Sequence, residues 1–156
     1  MRKPRKIIPG VKYHIIARAN RGEMILKSKE LKEMFLKVVQ RSRVKYKFVI
    51  YNFCIMGNHF HIILKPLEGQ NLSKIMQWIL SVFAVKYNKT FNFKGHVWYD
   101  RFKSKIINDI RQYVVTFLYI MQNPVRAELV KDPLDFEYNG ITFYINGIMD
   151  LFKPPW

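Results

Sequence analysis

His59-Phe60-His61 brings two nitrogen donors close together. In an extended strand residues i and i+2 point to the same side, so both imidazoles project from one face and Phe60 from the other. Such a pair suits one metal ion; two imidazoles on a solvated sheet face are the plainer alternative. A second polar stripe lies further on. Gln112, Thr116, Tyr119 and Asn123 recur at intervals of 4, 3 and 4 residues, the spacing of one helix face. This sets the Tyr119 phenol one turn from the Asn123 carboxamide. Gln122 is a second candidate for the same role. In the plainer reading Tyr119 packs at the core edge with its hydroxyl wet, and Asn123 caps a helix before Pro124.

The two features fit a single reaction. A phenol, with a pKa of about 10, is a poor nucleophile at neutral pH. It attacks a phosphodiester only if the phosphate is polarised and held in line. A divalent ion on His59 and His61, with a side-chain amide as third ligand, leaves positions open for a phosphate oxygen and water. Tyr119 would then displace the 3′ oxygen and become a 5′-phosphotyrosine, which conserves the bond energy for rejoining. Two nitrogens and an amide oxygen suit Mg²⁺ or Mn²⁺ in use.

The chain as a whole is suited to such a substrate. It has 156 residues, with 27 Lys and Arg against 11 Asp and Glu, a formal charge of +16. Apolar residues at 49% exclude a disordered basic tail. The charge implies a polyanionic partner, nucleic acid before an anionic membrane surface. The one cysteine, Cys54, lies in an apolar run and reads as a buried small hydrophobe, which fits a reducing cytoplasm. The basic N-terminus lacks the apolar stretch of a signal peptide, and no apolar run is long enough to span a membrane.

The elements that must position these residues can be read along the chain. Residues 11–20 form a strand, with Val11, Tyr13, Ile15 and Ala17 on one face. Ser28 caps a helix to about residue 46, its apolar stripe being Leu31, Met34, Phe35, Val38 and Val39. Lys29, Lys32, Lys37, Arg41 and Arg43 solvate much of the rest. Residues 47–56 and 59–65 are strands joined by a tight turn at Gly57-Asn58. A second helix covers 72–90, residues 91–102 are an ordered aromatic loop, and 103–108 are a fourth strand. Asp109 caps a third helix, with Val114, Phe117, Leu118 and Met121 as its expected core stripe. Pro124 bends or restarts it, and the segment after residue 131 is turn-rich. The order β-α-β-β-α-β plus one helix is that of an α+β, ferredoxin-like (RRM-like) antiparallel sheet, with the third strand beside the first at its centre.

Other residues point to DNA. In the run from Trp98 to Lys105, aromatics interleave with Arg101, Lys103 and Lys105, a pattern that stacks unpaired bases and neutralises phosphates. Alternatively Trp98 and Phe102 plug the core while the cations are solvated. Arg126 contacts phosphate, or pairs with Glu128 or with helix-end carbonyls. The N-terminal Arg2, Lys3, Arg5 and Lys6 form a basic arm suited to phosphate contact. His14 shares a strand face with Ile16 and Arg18 and reads as structural.

Four blocks carry a resemblance. IMGNHFHIILKP resembles the His-hydrophobic-His motif of the HUH single-strand endonucleases. HVWYDRFKSK and YIMQNPVRAELV resemble two further signatures of the single-tyrosine transposases. PGVKYHIIARANRGEMIL is similar to the branch associated with repetitive extragenic palindromes. The resemblance covers about residues 7–131, leaving 132–156 as a C-terminal extension of one transposase domain. It implies metal ligands at His59, His61 and Asn123, Tyr119 as nucleophile, and a divalent ion. It also implies cleavage and joining of single-stranded DNA, often beside a hairpin, by a monomer or a homodimer. Glu128 departs from the pattern, standing where relatives commonly have Gly, and the tail lacks the expected aromatic-serine pattern. The competing expectation is a non-catalytic RRM-like nucleic-acid-binding module descended from such an enzyme.

Overall fold

Alternating side chains sort the sheet into two unlike faces, and this sorting organises the computed structural model, which describes residues 3–5, 7–8 and 10–153. The elements follow in the expected order: β1 (Lys12–Arg18), α1 (Lys29–Lys45), β2 (Phe48–Ile55), β3 (His59–Pro66), α2 (Leu72–Phe91) and β4 (Lys103–Ile107). They are followed by α3 (Ile110–Met121), α4 (Asn123–Arg126) and α5 (Gly140–Ile145). The strands are ordered β2-β3-β1-β4, with every neighbouring pair antiparallel. The fold is therefore α+β, and β3 lies beside β1 at the sheet centre.

Tyr13, Ile15 and Ala17 of β1 and Phe60, Ile62 and Leu64 of β3 are buried in the main core with Phe35, Val38 and Val39 of α1 and Ile75, Ile79 and Phe83 of α2. Their alternates, including His14 opposite Ile63 and Ile16 opposite His61, point to the other face. Here Cys54, Met56, Ile63, Ile107 and Ile120 form a smaller core, flanked by Tyr113 and Phe117 of α3. A register shift between Ile50 and Asn52 interrupts β2. Strict alternation would put Ile50, Asn52 and Cys54 on one side. The shift instead sends Phe53 and Ile55 into the main core and leaves Cys54 paired with His61. Burial pushes the Cys54 thiol up to about 12, so it stays protonated as the small hydrophobe expected of it.

Helix ends obey local chemistry. Ser28 Oγ accepts from the Leu31 N–H and Asp109 Oδ1 from the Gln112 N–H. Pro124 restarts the chain as α4 because its missing N–H is harmless in a first helical turn. Glu128, just beyond α4, has φ 60°, a left-handed conformation that explains why Gly suits this position.

Two expectations are corrected. Val114 and Leu118 are each 48% exposed and are not the core stripe of α3. The face toward the sheet carries Tyr113, Phe117 and Ile120, of which only Ile120 is fully buried. Lys32 and Arg43 do not solvate α1. Lys32 is buried, and its ammonium donates to the carbonyls of Leu26 and Lys27 at 2.5 and 3.0 Å. Arg43 is buried against the tail and donates to the Asp150 carbonyl. These amines meet carbonyls that close loops, a demand that helical periodicity does not encode.

The tail packs on the β2 edge. Ile55 N–H donates to the Tyr138 carbonyl, the Tyr138 hydroxyl donates to Glu33, and Phe143 meets the Phe53 ring edge-on. It also helps seat α3. Asn139, fully buried, donates from Nδ2 to the Met121 carbonyl at 3.1 Å. Asn52, also fully buried, donates to the Phe117 carbonyl at 3.2 Å while its Oδ1 accepts from the Phe53 N–H. Asn52→Ala and Asn139→Ala should each lower stability by about 1–3 kcal/mol, because buried polar groups lose their partners. Urea unfolding checks this; a change within experimental error at both positions would contradict the clamp.

Candidate active site and metal centre

The histidines sit on the α3 face of the sheet because β3 alternates and β1 pairs with it. His59 lies opposite Arg18 and His61 opposite Ile16, with their ring centroids 5.2 Å apart. His61 is almost fully buried and both of its ring nitrogens are engaged. Nδ1 is 3.0 Å from His14 Nε2, and Nε2 is 2.8 Å from Asn123 Nδ2. His59 Nδ1 is 2.7 Å from Asn58 Oδ1. Of the two candidate amides, Asn123 is therefore the one in contact with a histidine.

Tyr119 reaches the same place from above. Its ring centroid is 5.9 Å from that of His61 and 6.2 Å from that of His14. The residue is 47% exposed, so one side of the phenol is open. Arg126 covers the ring, its guanidinium carbon 3.9 Å from the centroid, and donates from Nη2 to the Tyr119 carbonyl at 3.0 Å. Of the intramolecular pairings expected for Arg126, the one with a helix-end carbonyl is formed, and the cation–π contact adds to it.

Electrostatics keep the imidazoles neutral. Burial first, then His14, His59, Arg18 and Arg126, push His61 down to about 3. Burial and Lys105 push His14 down to about 4. Burial and Arg18 lower His59 as well. Neutral imidazole is the form that binds a metal, so two bare-nitrogen donors and one carboxamide fit a divalent ion as a donor set. Among the described residues, no group of three or more His, Cys, Asp and Glu side chains could hold a metal, so any third protein donor beside the two histidines would have to be of another type. Asn123, buried against His61, offers a carboxamide at that place.

The cations expected at DNA divide between two places. Lys105 pairs with His14 and Lys103 with Ile16, so both flank the histidine face. Arg5 and Arg101 lie elsewhere, along a groove of ≈ 770 Å³ between α2 and the aromatic loop. Arg5 stacks on Phe102 at 3.6 Å and donates from Nε to Ser104. Trp98, partly buried, packs on the core, where its ring meets Phe35, Phe60 and Phe83 and its Nε1–H donates to the Leu80 carbonyl at 3.0 Å, and it also lines this groove. Tyr99, 71% exposed, is the most exposed aromatic of that loop. Lys3 is exposed, while Arg2 and Lys6 lie outside the described residues.

Sequence reasoning missed His14, Arg18 and Asn58 as parts of the site. The signal was available for His14 and Arg18: strand order puts β1 beside β3, and both residues share the parity of the histidine face. For Asn58, the tight-turn reading hid its side chain.

The family described as IS200-like transposase matches residues 8–123. Among solved structures, the chain is similar to a REP-associated tyrosine transposase bound to a REP hairpin, with TM-score 0.77 and 21% identity, over 100% of this chain and 91% of that one. It is also similar to a transposase candidate of Deinococcus radiodurans R1, with TM-score 0.54 and 12% identity, over 76% of this chain and 95% of that one. No curated protein matches.

The depressed histidines predict acid sensitivity in the metal-free protein. His14 and His61 protonate near 6.5 when unfolded but only near 4 and 3 when folded. The unfolded state binds more protons between those limits, so stability is complete above 6.5 and declines as pH falls toward 4. Urea midpoints measured across this range should drop toward acid, and less so in His14→Gln. A flat profile would contradict the assignment.

Proposed function

The chain belongs to the IS200-like transposase family, and from that membership we propose that it cleaves and rejoins single-stranded DNA through a 5′-phosphotyrosine at Tyr119. The observation that carries this reading is the meeting of Tyr119, His61 and Asn123 within a single chain, with ring centroids 5.9 Å apart and a 2.8 Å contact to the amide.

His59, His61 and Asn123 would hold the divalent ion, Mg²⁺ or Mn²⁺, with the Asn123 carboxamide turned to present Oδ1. When bound there, such an ion would supply Lewis-acid polarisation of the scissile phosphate and offset its charge. Tyr119 Oη attacks phosphorus in line, its proton passing to solvent through the open side of the ring. The phosphorus–O3′ bond breaks, and the 3′ oxygen leaves as a hydroxyl after taking a proton from water. Arg126 fixes the phenol ring from one side, so the attacking oxygen starts in position instead of being recruited from a rotating side chain. Rejoining is the same displacement run by an incoming 3′ hydroxyl, which releases the tyrosine.

Lys103 and Lys105 flank the histidine face and would carry the strand's phosphates. The groove holding Arg5, Tyr99 and Arg101 would take DNA on the other side of β4, with the exposed Tyr99 as its main stacking surface beside the partly buried Trp98. A hairpin beside the cleaved strand is the preferred substrate, by likeness to the hairpin-bound relative. The site's completeness within one chain supports cleavage in cis by a monomer.

Single-stranded DNA incubated with the protein and Mn²⁺ should yield a covalent adduct at a 5′ phosphate, seen as a shifted band on a denaturing gel. Tyr119→Phe should abolish the adduct and retain binding. Binding without any adduct in the wild type would favour the non-catalytic binding module, and a hydrolysed product without an adduct would favour attack by water. Affinity should fall by orders of magnitude between about 50 and 200 mM salt if many phosphates are neutralised. A salt-independent affinity, read by fluorescence anisotropy, would remove the basic surface from the account.

A further inference from the structure

Both proposed metal-binding histidines have a hydrogen-bond partner on Nδ1, and neither partner belongs to the proposed ligand set. Asn58 Oδ1 lies 2.7 Å from His59 Nδ1. A carboxamide oxygen only accepts, so His59 Nδ1 carries the proton and Nε2 is bare. At His61 the logic runs through three side chains. Asn123 presents Nδ2, a donor, to His61 Nε2 at 2.8 Å, so Nε2 is the bare acceptor. The His61 proton then sits on Nδ1, which donates across 3.0 Å to His14 Nε2. His14 keeps its own proton on Nδ1. The His14 and His61 rings stack with centroids 5.2 Å apart and planes 22° from parallel, so the contact fixes the ring's plane as well as its tautomer.

We propose that Asn58 and His14 are positioning residues that hold His59 and His61 in the Nδ1–H tautomer, so that both bare Nε2 atoms are available to one divalent ion. This inference rests on the proposed metal-assisted reading. Outer partners of this kind set the orientation and basicity of ligating imidazoles, and their loss commonly weakens metal binding by about 10- to 100-fold. The geometry also explains why a histidine is spent in the middle of β1, where an apolar residue would pack against Ile63 and the small core at less cost. His14 lies opposite Ile63 in the register and beside Lys105 on the other neighbour, yet its Nε2 turns to His61.

The test begins with the metal-free full-length protein. Two-bond ¹⁵N–¹H correlation spectra of the imidazoles should show His59 and His61 protonated on Nδ1 and bare on Nε2. The opposite tautomer at both overturns the proposal outright. Mn²⁺ affinity, read from the free-ion electron paramagnetic resonance signal, then separates roles. His14→Phe and Asn58→Ala should each weaken Mn²⁺ binding about 10- to 100-fold. His14→Gln, whose amide oxygen occupies the place of Nε2, and Asn58→Asp should restore most of it. Equal weakening in the rescuing and non-rescuing variants would reduce both residues to packing and overturn the inference. So would unchanged affinity in His14→Phe and Asn58→Ala. A wild type that takes up no Mn²⁺, or does so equally well as His61→Ala, overturns the metal reading itself. A wild type that binds through His61 but ignores His14 and Asn58 overturns this inference alone.

Discussion

Two buried carboxamides hold the helix on which the proposed chemistry depends. α3 has little apolar grip: among its residues only Ile120 is fully buried, and Ile110, Val114, Val115 and Leu118 stand exposed. Hydrophobic burial is non-directional and could not by itself prevent such a helix from rolling or sliding along the sheet. Asn52 and Asn139 supply direction, each donating to a carbonyl of the helix, at Phe117 and Met121. These carbonyls are four residues apart and bracket Tyr119. Fixing them fixes the azimuth of the phenol over His61 and the depth of Asn123 beside it. One anchor comes from the irregular part of β2 and the other from the tail. The C-terminal segment is thus part of what positions the site, although it supplies none of the site's proposed reacting groups.

The electrostatic arrangement follows from where that helix sits. Docking α3 over the histidine face removes His14 and His61 from water, and burial is the leading cause of their lowered pKa values. In a chain of formal charge +16, further protonation at the centre would add to repulsion from Arg18, Lys105 and Arg126. The imidazoles therefore remain neutral donors in a cationic surround. Such a surround lacks negative charge, which the phosphodiester of the proposed substrate would supply. The same imbalance that makes the protein basic would make a bound strand complementary.

The aromatic loop shows how one segment can serve two ends. Trp98 and Phe102 are drawn into the core, and the Trp98 indole N–H finds a carbonyl of α2. That leaves Tyr99 and Arg101 outside, on a backbone pinned by a hydrogen bond from the Tyr99 N–H to the Arg18 carbonyl. The interleaving of aromatics and cations is therefore partly packing and partly surface. Composition could not apportion it, because a tryptophan stacked on a base and a tryptophan stacked on phenylalanines read alike.

Much of this protein was legible in one dimension. Alternation in β1 and β3 and the caps Ser28 and Asp109 rest on local rules, and so does the i+4 spacing of Tyr119 and Asn123. Strand order then follows from the element succession, which already implies that His14 shares a face with His59 and His61. What stayed hidden depends on contacts between distant segments. The register shift in β2 turns Cys54 toward His61, and Asn52 and Asn139 reach for a helix 65 and 18 residues away. Lys32 and Arg43 abandon a solvated face for loop carbonyls. The helical period of α3 suggested Val114 and Leu118 as its core, but a period gives only the width of a stripe. Which azimuth faces the sheet is decided by hydrogen bonds that exist only once the chain has folded.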